Sequence, residues 1–140
     1  MFFPQINVRI ILSNKNTIGN FFPAKERIPN NICSNIVYFY KCPGDECNSS
    51  YVGSSERRLH DRVSEHMGVS FLTGQKLSKP SFSSIREHSE SSDHPLSADA
   101  FSIIGRGRSN DNIRLLESVF IKFHNPTLNH MDTAFPLHIT

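Results

Sequence analysis

Long hydrophobic runs are missing from this 140-residue sequence. Its start, MFFPQINVRIILSNKN, is interrupted by Pro4, Gln5, Asn7 and Arg9 and has no basic leader. Neither a signal peptide nor a membrane span is expected there, and the expected address is intracellular. Cysteine is scarce and odd in number, with three residues. Without a secretion signal this argues against a disulfide framework and for reduced thiols or a metal site. A strong excess of one charge is also lacking: the net charge is +2 with histidines neutral, which permits an anionic partner without demanding one. Seven histidines make that charge pH dependent. No internal repeat is present. With 37% hydrophobic and 20% charged residues, the chain is too apolar for wholesale disorder and too polar for a membrane protein. One soluble domain with a single core is expected.

What is there reads as an ordered series of short elements. Residues 1–34 hold two Phe-rich patches, Pro23, Pro29 and the pair Asn30–Asn31 without sustained periodicity, and are expected to be an extended lead-in. NIVYFY (35–40) has strand composition and runs into CPGDEC, where Pro43, Gly44 and Asp45 carry turn chemistry. SSYVGS (49–54) is expected to pair back antiparallel, ending at Gly53. Ser54 or Ser55 can cap a helix over ERRLHDRVSEHM, with Leu59, Val63 and Met67 on one face and Arg62 and His66 on a neighbouring one. A shorter helix is expected around 81–90, a third strand in DAFSIIGRG (99–107), and a helix in NDNIRLLESVFIKFH capped by Ser109 or Asp111. That helix would bury Ile113, Leu116, Phe120 and Phe123. The order β-β-α-α-β-α implies an α+β fold, a small antiparallel sheet of about three strands flanked by helices.

Two constellations could carry chemistry. Cys42 and Cys47 flank a Pro-Gly turn, and His88 and His94 lie in REHSESSDHP. Together they could form a closed Cys2His2 zinc site clamping the hairpin loop to the segment after the second helix, or the cysteines could be small loop residues and the histidines scattered ones. Cys33 lies outside this pattern and reads as a buried thiol. Nothing pairs a thiol with an ordered base, so cysteine catalysis is not indicated. Separately, Tyr38, Tyr51, Arg62, His66 and Glu117 could serve phosphodiester hydrolysis, which needs an activated water, a cation on the phosphoryl oxygens and charge relief at the leaving oxygen. Arg62 offers a planar fork for phosphate, and one carboxylate suits Mg²⁺. Arg62 could equally pair with Glu65 or Asp61, and Glu117 could be a solvated helix residue.

The order and spacing of IVY (36–38), YVG (51–53), RVSEH (62–66), LLES and PTLN resemble the GIY-YIG endonuclease domain. The first motif has Ile36 where that family usually has Gly, and Val37 and Val52 stand where Ile is usual, while Gly53 is kept. SNIVYFYKCPGDEC with YVGSSERRLHDRVSEH is most similar to the Penelope-like retroelement branch, and NTIGNFFPAKERIP (16–29) is similar to its connector between reverse transcriptase and nuclease. The resemblance spans about residues 14–131. It implies a lead-in over 1–34, a GIY-YIG nuclease fold with an inserted zinc site over 35–131, and a tail over 132–140.

The function it implies is metal-dependent DNA nicking by phosphodiester hydrolysis. Tyr38 would help deprotonate the attacking water, with Tyr51 beside the scissile phosphate. Arg62 would neutralise that phosphate, and His66 would shuttle a proton or support by hydrogen bonding. Glu117 would bind Mg²⁺ or Mn²⁺, and Asn129 would fix the site by hydrogen bonds, Asn125 fitting that role less well. Cys42, Cys47, His88 and His94 would hold a structural Zn²⁺. A free tyrosine is a weak base at neutral pH, so a cation such as Arg62 would have to tune it, and cleavage would then rise with pH. DNA contact is expected from Arg57, Arg58, Lys76, Lys79, Arg106 and Arg108, salt-sensitive and without strong sequence specificity. The expected partners are DNA and, in the parent element, a reverse transcriptase, with no membrane and a nuclear address. The altered Ile36 and the absent polymerase leave an alternative, a zinc-stapled, catalytically inactive nucleic-acid-binding module.

Overall fold

The strand IVYFYK (β1, Ile36–Lys41) sets the architecture, because Ile36, Val37, Tyr38 and Tyr40 have no exposed surface at all. A strand buried on both faces must be central with cover above and below. The computed structural model, which describes residues 28–130, has that arrangement: a three-stranded antiparallel sheet in the order β2-β1-β3, with β2 at Ser50–Ser55 and β3 at Phe101–Arg106. Three helices complete it: α1 (Leu59–Met67), α2 (Ser84–Ser92) and α3 (Asn110–His124). The fold is α+β in the element order expected.

The two-residue period of β1 divides the core. Ile36, Tyr38 and Tyr40 pack with Leu59 and Val63 of α1, Ile85 of α2, Phe101 and the thiol-bearing Cys33 and Cys42. Val37 joins Val52 and Ile113 on the other face, with Phe39, Leu116 and Phe120 beside them. Register places Tyr38 opposite Gly53 and Tyr40 opposite Tyr51, so both tyrosine motifs meet on neighbouring strands. β2 is an edge strand, and its outer rim is covered rather than left open. Asn129 accepts from the Val52 N–H at 2.9 Å and donates to the Val52 carbonyl at 2.7 Å, and the Leu128 N–H reaches the Ser50 carbonyl at 2.9 Å. A side-chain amide here stands in for a fourth strand.

Several local expectations change. β2 runs through Gly53 to Ser55, so neither Ser54 nor Ser55 caps α1. The Ser55 hydroxyl instead bonds to Arg57, and α1 begins after Arg58, which offers no side-chain cap. The cap of α3 is Ser109, accepting from the Asn112 N–H at 3.3 Å. Phe123 is 82% exposed: the stripe that buries Ile113, Leu116 and Phe120 has turned away from the sheet by the last turn. Asn125 ends α3 in a left-handed conformation, which leaves the β2 contact to Asn129. The lead-in is described only from Ile28 on, where Asn30–Ile32 forms a 3-10 turn rather than extended chain. The rest of it, and the tail over 132–140, lie outside the described residues. Among the described residues no helix is long and apolar enough to cross a membrane.

Candidate functional site

A Cys/His cluster sits at the hairpin end. Cys42 follows β1 directly, and its thiol is 3.2 Å from Nδ1 of His94. The chain then turns through Gly44, with Glu46 left-handed, and brings the Cys47 thiol 3.5 Å from Nε2 of His88. One ligand atom from each of the four residues lies within 4.8 Å of the other three. A tetrahedral zinc with two thiolates and two imidazoles has edges of roughly 3.3–3.8 Å, so the donor set could hold a metal ion with little movement. His88 lies within α2 rather than after it, so the cluster ties the loop to the helix itself as well as to the segment beyond it. Gly44 is required by close approach: a Cβ there would sit 2.7 Å from the His94 ring.

The surroundings suit thiolate ligands. Hydrogen bonding from Ser49 holds the Cys47 thiol below its usual range. The Tyr40 hydroxyl is buried beside the cluster, and burial, then the neighbouring Cys42 and Cys47, push its pKa up, keeping it a neutral phenol. Cys33, as expected, is a buried thiol outside the cluster.

A second constellation is built around the Tyr38 hydroxyl. Arg62, at the middle of α1, donates from Nε to this oxygen at 3.1 Å, and Nε2 of His66, one turn on, lies 2.7 Å from it. The other imidazole nitrogen is 2.8 Å from the Ser83 hydroxyl, which also caps α2. Arg62 can only donate, and the assigned tautomer, with the Tyr38 proton toward Nε2 and the His66 proton on Nδ1 toward Ser83, satisfies all three contacts. Burial first, then the cations Arg62 and Arg86, pushes the His66 pKa down to about 3, so the ring is neutral throughout the working range.

Tyr51 packs its ring 6.3 Å from Tyr38 and 5.7 Å from His66. Gly53 allows this packing, since a Cβ there would meet the Tyr38 hydroxyl at 2.5 Å and the Tyr51 ring at 2.7 Å. Glu117 arrives from the opposite face of the sheet, over the edge strand. Its carboxylate accepts from the Ser54 hydroxyl at 2.6 Å. Burial raises its pKa, opposed by Ser54, Arg114 and Arg62.

No family model, curated protein or solved structure matches this chain. The reading of the site therefore rests on its own geometry. Arg62 pairs with Glu65 at 2.8 Å as well as with Tyr38, so the ordinary ion pair and the tyrosine contact coexist. Its pKa is raised: burial opposes the charge, but Tyr38 and Glu65 outweigh it. The expectation that a cation tunes a tyrosine downward is reversed in balance. Burial raises both Tyr38 and Tyr51, and the opposing pull of Arg62 is smaller in each.

The six cations expected to contact DNA are all exposed but divided. Arg57 and Arg58 precede α1. Arg106, level with Ile36 and Ser55 in the sheet, and Arg108 lie at that same end. Lys76 and Lys79 belong to the loop after α1, a helix of about 14 Å away. Arg57 also pairs with Glu65, and Arg58 with Asp61 at 3.3 Å. Three contributors were not among the expected site residues: Ser83, Ser54 and Glu65. Ser83 could have been found as the serine just before SIREH, whereas the Ser54–Glu117 contact exists only through the packing of α3 on β2.

The neutral, buried His66 has a measurable consequence. Between pH 6.5 and about 3 the unfolded chain protonates this ring and the folded one does not. Stability should therefore fall as pH drops through that window, by at most about 1.4 kcal/mol per pH unit from this group, and be flat above it. Urea midpoints measured from pH 4 to 8 should show a shallower acid slope in His66→Gln than in wild type. Parallel slopes would mean that His66 is protonated in the fold.

Proposed function

We propose that this protein is a metal-dependent DNA endonuclease of the GIY-YIG type, which nicks DNA by phosphodiester hydrolysis. The observation that carries this reading is the Tyr38 hydroxyl held between the Arg62 guanidinium and neutral His66, with Tyr51 alongside. Arg62 brings a permanent cation, and neutral His66 faces the phenol through Nε2, groups that could serve phosphoryl transfer to water.

Arg62 would bind the scissile phosphate. In the free protein its Nε caps the Tyr38 oxygen, and drawing the guanidinium onto phosphate would release that lone pair to a water. Tyr38 would then accept the water's proton while passing its own to Nε2 of His66, so the phenol never has to ionise. That accommodates a tyrosine whose pKa is raised by burial. The imidazolium formed, disfavoured in the free protein by burial and by Arg62 and Arg86, would be stabilised by the negative charge of the phosphate. Tyr51, which lines the same pocket as Arg62 and His66, would sit against the phosphate. Glu117 would hold a Mg²⁺ or Mn²⁺ ion, which when bound supplies positive charge to the phosphoryl and leaving oxygens. Zn²⁺ fits the Cys42, Cys47, His88 and His94 donor set as a closed structural site. Origin in a Penelope-like retroelement and action in the nucleus belong to the same reading.

Supercoiled plasmid incubated with purified protein and Mg²⁺ or Mn²⁺ should be converted to the nicked form. Glu117→Ala should slow this by about a hundredfold or more, the scale of losing a metal's charge stabilisation. Equal nicking by the variant would overturn this reading, and DNA binding by wild type with no nicking would favour a zinc-stapled binding module.

A further inference from the structure

Arg62 stands between two unlike hollows. One, of about 350 Å³, is polar and lined by Ser54, Ser55, Glu56, Arg57 and Asn110 as well as Arg62. The other, of about 140 Å³, is lined by Tyr51, Arg62, His66, Phe82 and His130 among others. A polynucleotide whose phosphate lies on Arg62 must send its neighbouring nucleotides to either side, one into each hollow. The second side holds the unusual feature: Phe82 is 73% exposed at the rim of the narrower hollow, with the His130 ring centroid 6.3 Å from its own.

Phe82 is exposed but firmly mounted. The next residue, Ser83, is 6% exposed, meets His66 Nδ1 at 2.8 Å and caps α2, while Ile85 is wholly buried. The backbone that carries the phenyl ring is thus anchored beside Arg62 and His66, with the ring surface in water. An aromatic face beside a phosphate-binding arginine is what a nucleobase stacks on. Bases inside a duplex are already stacked on their neighbours, and a hollow of about 140 Å³ matches a single base, not a double helix. Only an unpaired or displaced base can cover the ring.

We propose that Phe82 is a stacking platform for an unpaired base next to the scissile phosphate, so that the favoured substrate is DNA with a single-stranded or bulged nucleotide at the cleavage step. This rests on the nuclease reading for the position of the phosphate. Binding, however, can be read without cleavage.

The test uses the full chain carrying Glu117→Ala, to prevent cutting, and two oligonucleotides. One is a fully paired duplex and the other the same duplex with a single bulged 2-aminopurine. Binding should favour the bulged DNA and quench the 2-aminopurine fluorescence. Adding Phe82→Ala should remove about five- to a hundredfold of affinity for the bulged DNA, abolish the quench and leave duplex affinity unchanged. Phe82→Trp should restore both. An equal loss on the two DNAs, or no change on either, would overturn the platform. Because Phe82 is so exposed, its truncation should leave the melting temperature in place. Nicking by the Glu117 wild-type chain is scored separately, so a failed platform and a failed nuclease give different results.

Discussion

Stripping the metal should cost this protein most of its folded stability. We expect one zinc per chain by elemental analysis, a cooperative melt in its presence, and a large downward shift or loss of that melt in strong chelator, reversed by added Zn²⁺. The magnitude follows from the sizes involved. Structural zinc binding contributes about 10–16 kcal/mol in small zinc-finger peptides, while the whole stability of a typical domain is about 5–15 kcal/mol. The cluster also joins elements that little else holds. Cys42 leaves the central strand, Cys47 closes the hairpin loop, and His88 and His94 come from α2 and its C-terminal end. Beyond the cluster, α2 is held by Ile85, by Ser83 on His66 and by Arg86 bonding the Glu65 and His66 carbonyls. Hydrogen exchange over 84–94 should therefore quicken first, and Cys42→Ser or His94→Ala should reproduce the chelator's effect. A chain without zinc whose melt is indifferent to chelator would remove the metal from the account.

The link through Ser83 makes that scaffold bear on the second centre, since the residue that caps α2 also meets the catalytic imidazole of the proposed relay. This connection was not legible in the sequence. The elements were, because each carries a local signal: β-branched and aromatic strands, a Pro-Gly turn, and fourfold spacing of Leu59, Val63 and Met67. The pairing of Cys42 and Cys47 with His88 and His94 is legible in the sequence only as one of two alternatives, because two pairs so far apart in sequence meet only through the packing of α2. Helix starts were misplaced where serines compete for roles. Ser54 and Ser55 look like caps, but the edge strand continues through them because they pair with Val37 and Ile36 of the central strand. Phe123 was misjudged because the apolar spacing of α3 continues past the end of the sheet it packs on. Electrostatic balance was the least legible quantity, since the burial that raises Tyr38 depends on every neighbour at once.

Removing one oxygen should separate the roles of the two tyrosines. Tyr38→Phe deletes the atom that joins Arg62 to His66, and should lower the nicking rate by about 10²- to 10⁴-fold, the range for loss of general acid–base catalysis. Tyr51→Phe keeps the Arg62–Tyr38–His66 contacts and should act mainly on DNA affinity, raising KM more than it lowers kcat. The Tyr38 variant should still fold, at a cost of about 1–3 kcal/mol for leaving buried Nε2 of His66 without its partner. Its DNA affinity should hold or improve, because Arg62 no longer has a phenol to give up when it meets phosphate. The pH profile sharpens the assignment. A relay through neutral His66 does not wait for tyrosinate, so wild-type kcat should plateau at neutral and alkaline pH. It should fall on the acid side as protons compete with the metal for Glu117, whose carboxyl burial raises in the metal-free protein, and added Mg²⁺ should move that limb to lower pH. A rate that keeps climbing toward pH 9 would instead mean that an ionised tyrosine is the base and that the proton does not pass to His66. Comparable losses of kcat in the two tyrosine variants would give the chemistry to the pocket-facing Tyr51 and leave Tyr38 as the residue that positions Arg62.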